Sequence, residues 1–153
     1  MSSLGDKMKD TTTAAKAAGH PLPRFAFQRI TLSENGMMAS TREYEVIRTA
    51  NGARVSLYDG PWNYHEGTKR EACLQARKEG DASFYNELAR KFEELGLASW
   101  DGFSKSAYGV LDGTTFSFEA EMGDGKKIFA CGSNAFPKNY GAFTDYLWNL
   151  VKS

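Results

Sequence analysis

Apolar residues recur along this chain at two spacings, every second position and every third or fourth, and stretches of the two kinds follow one another. Phe25 to Leu32 is rich in aromatic and branched residues. Phe25 and Phe27 would point one way and Ile30 and Leu32 the other, so a strand here needs a bulge or a change of face. Glu34-Asn35-Gly36 comes next, and Asn-Gly is the strongest short hairpin signal. Met38 to Arg48 reads as the second strand, with Tyr44 and Val46 on one face between Glu43 and Glu45. A second Asn-Gly, Asn51-Gly52, turns the chain into Arg54 to Tyr58, where Val55 and Leu57 face inward. Near the other end, Phe116, Phe118, Ala120 and Met122 alternate with Ser117, Glu119 and Glu121. Gly123-Asp124-Gly125 turns that strand into Lys127 to Cys131.

Three segments read as helices. Thr68-Lys69-Arg70-Glu71 fits a capping box, in which a Thr hydroxyl and a Glu carboxylate satisfy orphan N–H groups, and the helix it opens would stop at Gly80. Asp81 caps a second helix, along which Phe84, Leu88, Phe92 and Leu95 recur before Gly96. The third runs from about Asn139 to Val151, with Tyr140, Phe143, Leu147 and Leu150 as its apolar face. Strands that come in hairpins rather than singly between helices predict an α+β fold. The expected architecture is an antiparallel sheet of about five strands, a three-stranded meander plus a C-terminal hairpin, with about three helices packed on one face.

Residues 1–22 carry no apolar stripe and end in Gly19-His20-Pro21-Leu22-Pro23, so they read as a flexible N-terminal arm ahead of a single domain, 23–153. The 153 residues are the length of one ordinary domain, and ten Phe, seven Tyr and three Trp supply its core. Nineteen basic residues balance nineteen acidic ones. Lys69-Arg70 with Arg77-Lys78 is the nearest approach to a basic stripe, and Glu71 and Glu79 dilute it into a solvated helix face. Nucleic acid is therefore not an expected partner. No run has the length to span a bilayer, and the start lacks an apolar signal core, so membrane is not expected either and the location read is cytoplasmic. Cys73 and Cys131 fit no metal-ligand spacing; they would pair only if the fold brought them together, and they read as two buried free thiols.

Motifs for chemistry are scarce. There is no phosphate-binding glycine loop and no Gly-x-Ser-x-Gly. His20 and His65 are the only histidines, so neither a histidine-rich metal site nor a cofactor is expected. Between Gly60 and Gly67, the loop crowds Trp62, Tyr64 and His65 together, rings that serve in recognition surfaces or fold back as a lid. Ser133 and Asn134, within Gly132-Ser133-Asn134-Ala135-Phe136-Pro137, offer polar groups to a ligand or bond the backbone of a fixed turn. Asp101 and Asp112 could do acid/base work, but both precede glycine, as turn aspartates do.

From Trp100-Asp101-Gly102-Phe103, through Val110-Leu111-Asp112-Gly113 and Asp124-Gly125-Lys126-Lys127, to Gly132-Ser133-Asn134-Ala135-Phe136-Pro137 and a final aromatic helix, the chain resembles a domain found in many uncharacterised bacterial proteins. The likeness spans roughly residues 84–151, and its most specific part is the Gly-x-Asn-Ala-aromatic-Pro element. That family has no assigned activity, so the resemblance implies a fold and brings no catalytic residues. The function expected is a non-enzymatic binding or interaction domain, with a protein or small molecule as its unidentified partner. The alternative is a small hydrolase or transferase using His65 with Asp101 or Asp112.

Overall fold

A computed structural model of the chain describes residues 25–36, 41–60, 69–107 and 113–153. The arm, 1–22, lies outside them. The alternating stretches form β1 (Phe27–Asn35), β2 (Thr41–Arg48), β3 (Ala53–Gly60), β6 (Thr115–Met122) and β7 (Lys127–Ser133). Two further strands join them, β4 (Leu74–Gly80) and β5 (Ser104–Ser106). The sheet has seven strands in the order β4-β3-β2-β1-β6-β7-β5. Every pairing is antiparallel except β5 with β7, which is parallel. The described residues also form two α-helices, α1 (Ala82–Glu94) and α2 (Tyr140–Lys152).

This corrects the expectation of about five antiparallel strands and three helices. The segment after Thr68 makes only a 3-10 turn, Arg70–Cys73, and then enters β4 instead of a helix. Its residues are good helix formers, but none of them builds an apolar stripe that a helix would bury. The open edge of β3 offers a row of backbone partners, and cross-strand contacts take the segment: Arg77 Nε donates to Ser56 Oγ at 2.9 Å and Arg54 meets Glu79 at 3.4 Å. The charges Arg77, Lys78 and Glu79 suit an edge strand, since they discourage further pairing. The solvated helix face expected for Lys69-Arg70 and Arg77-Lys78 is thus a turn and an edge strand. β5 is Ser-Lys-Ser and fully exposed, and it is held by main-chain pairing to β7 rather than by any apolar pattern.

The helices were more legible. Asp81 Oδ1 accepts from the Phe84 amide at 3.2 Å, which is the expected cap, and Gly96 takes φ +74°, the left-handed end that favours glycine. The face change in β1 is also present. The register shifts between Phe27 and Arg29, and the Tyr85 hydroxyl closes the bulge by accepting from Phe27 N at 2.9 Å and donating to Phe27 O at 2.8 Å. Phe25, Phe27, Ile30 and Leu32 are consequently all buried.

One core lies between the sheet and the two helices. Ile30, Leu32, Tyr44, Val46, Val55, Leu57, Phe118 and Ile128 supply its sheet side, and Leu88, Phe92, Phe143 and Leu147 its helix side. Trp100 sits at its centre, 4.9 Å from the Phe118 ring and 5.4 Å from Phe143, with its indole N–H donating to Lys138 O. Because strand residues alternate, the same strands must present their other residues on the opposite face, away from both described helices.

Candidate functional site

The face away from the helices is built from the polar half of each strand. Register places Ser33 opposite Glu43 and Ser117, Thr31 opposite Glu45 and Glu119, and Arg29 opposite Glu121. On the other side of β2, Glu43 faces Tyr58 and Glu45 faces Ser56. Beyond β6, Glu119 faces Phe129 and Glu121 faces Lys127. Two regions result, one closed over and one open.

The closed region lies over β2 and β3. The 3-10 turn folds Arg70 back onto the sheet, where its guanidinium bonds Glu43, reaches Glu45 at 3.4 Å, and lies 4.2 Å from the Tyr58 ring centre. Ser33 Oγ donates to Glu43 Oε1 at 2.6 Å, and Arg29 bonds Glu45. The side chains of Arg70, Glu43 and Glu45 are 16%, 13% and 6% exposed. Charges so nearly buried persist only when paired and hydrogen-bonded, and here each carboxylate has two donors. Burial works against the Arg70 charge, but the Glu43 hydrogen bond and the fields of Glu45 and Glu43 outweigh it and hold its pKa above the ordinary arginine value.

The open region lies over β1, β6 and β7. A groove of about 410 Å3 runs across it, floored by Thr31, Ser33 and Ser117 and walled by Arg29 on one side and Glu119, Glu121 and Lys127 on the other. Phe129 stands beside it on β7, 52% exposed. Lys127 and Glu119 approach to 3.9 Å across the hairpin. Among the described residues no group of three His, Cys, Asp or Glu side chains could hold a metal ion. No helix there is long and apolar enough to cross a membrane.

Of the residues singled out by sequence, Trp62, Tyr64, His65 and Asp112 lie outside the described residues. Ser133 ends β7, and its carbonyl accepts from Ala107 N at 2.9 Å. Asn134 adopts φ +56°, with its Oδ1 accepting from Thr114 N and its own N–H donating to Thr114 O, both at 2.9 Å. These bonds stitch β7 to the strand entering β6, the turn role that asparagine fills well. Asp101 Oδ1 accepts from the Phe129 amide at 3.1 Å, so this carboxylate extends the pairing at the β7 edge. Cys73 and Cys131 are not joined by a disulfide, but they are not both buried as expected: Cys73 is half-buried, and Cys131 is exposed because it lies on the outward-facing side of β7.

Sequence reasoning passed over Arg29, Thr31, Ser33, Glu43, Glu45, Arg70, Glu119, Glu121 and Phe129. Most were visible only as spacers between apolar residues, and that spacing was the available signal: polar positions of paired strands must share a face. Arg70 stood out only within a capping box and a diluted basic pair, and neither pointed to Glu43 and Glu45, which lie in more distant chain. No family model, no curated protein and no solved structure matches the chain.

Proposed function

We propose that this chain is a binding domain without catalytic activity, and that it meets its partner on the open region of the polar sheet face. The observation that carries the reading is the groove over Thr31, Ser33 and Ser117 with Phe129 exposed at its side. A large aromatic ring left on an otherwise polar strand surface is a feature of recognition sites, where it buries area at low entropic cost. The hydroxyls and carboxylates around it supply directed hydrogen bonds. Such a surface suits a partner, protein or small molecule, that is itself polar. The mixed signs of Arg29, Lys127, Glu119 and Glu121 speak against a polyanion such as nucleic acid. Gly60 and Lys69, which bracket the loop of Trp62, Tyr64 and His65, adjoin Tyr58 and Arg70 at the closed end of the same face, and the loop's proposed role as a rim belongs to this reading.

The test is capture from a lysate of the native cell by the immobilised chain. The variants are Phe129→Ala with Glu119→Lys, and separately Trp62→Ala with Tyr64→Ala. Each is first checked for an unchanged thermal midpoint. The partner retained by the wild type should be lost by the first double variant. A first double variant that is stable and keeps the same partner refutes the open face, and a stable second one that keeps it refutes the rim.

A further inference from the structure

At the opposite end of the molecule from the Arg70 turn, a second concave space of about 400 Å3 lies between the β2–β3 turn and the start of α1. We propose that it is a site for a small organic molecule bearing an oxyanion, carboxylate or phosphate, with Arg48 as the residue that holds the charge. The proposal is independent of the open sheet face.

The pocket walls are fixed by the fold. A Cβ on Gly52 would lie 2.1 Å from Gly80 O and 2.3 Å from Asp81 O, so the turn is seated directly on the β4–α1 junction. Thr49 N donates to Gly52 O at 2.9 Å, and Gly52 N donates to Thr49 Oγ1 at 3.0 Å, which locks the turn internally. Tyr85, at the back, is held by its two bonds to Phe27. Gln28, the residue displaced by the β1 bulge, also lines the space, as does Asn51.

Its cation differs from most of the arginines described above. Arg29, Arg42, Arg54 and Arg70 each hold a carboxylate. Arg48 holds none among the described residues; its guanidinium lies instead 5.6 Å from the Tyr85 ring centre. Among the described residues of its lining there is this one cation and no acid. A guanidinium steadied by an aromatic ring keeps its planar fork free for bidentate bonding to carboxylate or phosphate. Gln28 and Asn51 line the same space and carry amide groups that can donate without charge. The volume exceeds what a bare oxyanion needs and falls within the range of small-molecule pockets, so the site takes the anion together with a compact organic body.

The experiment is an NMR titration of the isotope-labelled full chain, with inorganic phosphate in one arm and acetate in the other, at constant ionic strength. Saturable shifts confined to Gln28, Asn51, Gly52 and the Arg48 side chain are expected, and the arm that saturates at lower concentration identifies the anion class. Arg48→Gln keeps the stem and removes the charge; it should weaken binding at least about tenfold, the smaller end of what a charge-assisted hydrogen bond contributes. Should that variant fail to give a folded spectrum, Asn51→Asp keeps a turn dipeptide and places a carboxylate at the mouth, and it should abolish the shifts. Absence of saturation in both arms, shifts spread over several basic residues, or undiminished binding by a folded Arg48→Gln or Asn51→Asp overturns the assignment.

Discussion

The Arg70 guanidinium lies 4.2 Å from the centre of the Tyr58 ring while it bonds the carboxylates of Glu43 and Glu45. It is therefore both the lid of the closed region and the counter-charge of two carboxylates that water barely reaches. Arg70→Ala strands part of that charge. Ser33 and Arg29 each keep one carboxylate bonded. The expected cost is therefore about 3 kcal/mol, the lower end for breaking a buried pair. Arg70→Lys should recover only part of it, because an ammonium is a point charge that cannot present the same fork or stack as flatly. Urea unfolding of the three proteins checks this. Equal midpoints for wild type and Arg70→Ala would show the cluster to be energetically idle.

Alkaline pH should destabilise the fold through its buried and half-buried tyrosines: burial raises Tyr85 and Tyr146, and Tyr44 and Tyr140 more strongly. Burial pushes Tyr44 up to about 12, against the opposing charge of Arg42. Burial likewise raises Tyr140, reinforced by the hydrogen bond it donates to Glu34. An unfolded tyrosine ionises near pH 10, so above that pH the unfolded chain gives up a proton that the folded chain retains. Stability is then fully present below about pH 10 and falls as pH rises toward 12, by up to about 1.4 kcal/mol per pH unit for each tyrosine. Unfolding midpoints between pH 8 and 12 should show the decline, and Tyr44→Phe should make it shallower. A flat profile, or an unchanged slope in the variant, contradicts the assignment.

The Gly-x-Asn-Ala-aromatic-Pro element should prove indispensable to the fold. A Cβ on Gly132 would meet Ala135 O at 2.2 Å and Phe116 Cε1 at 2.6 Å, so Gly132→Ala forces backbone or ring to move and should cost about 1–3 kcal/mol. At Asn134, glycine keeps the φ +56° backbone but loses the bond to Thr114 N, whereas alanine loses both. Asn134→Gly should therefore be the milder change, by about 1 kcal/mol. Thermal midpoints that rank alanine at or above glycine would contradict this account of the turn.

These cases show what was legible. Phe116, Phe118 and Ala120 alternate with exposed partners because β6 has one buried face, and such a strand writes its geometry into the sequence. β4 does not, since an edge strand of Gln, Arg, Lys and Glu is specified by the open edge of β3 and not by its own pattern. The three residues of β5 depend still more on their neighbour. The polar face was present in the sequence as the other half of the alternation, but its meaning depends on register. Glu43 and Arg70 meet only after a turn that no local signal marks. Asn134, by contrast, was readable as a turn residue, because left-handed backbone favours few side chains.

Two phenylalanines on the β6–β7 hairpin give the sharpest test of the two faces. Phe118 is 1% exposed, and its ring lies 6.0 Å from that of Phe143, edge to face. Phe129 points the opposite way and is 52% exposed. Truncating Phe118 leaves a cavity beside Trp100 and Phe143 and should cost about 3–5 kcal/mol. Truncating Phe129 removes a ring that already stands in water and should change stability by no more than about 0.5 kcal/mol. Phe143→Ala, which opens the same space from the helix side, should be far from additive with Phe118→Ala, because the two share one cavity. Unfolding free energies of the wild type and of the four variants, the Phe118–Phe143 double variant included, measure all of this. A large loss at Phe129 would mean that its ring supports the fold, and the open face would then lose the exposed aromatic on which its proposed binding role rests.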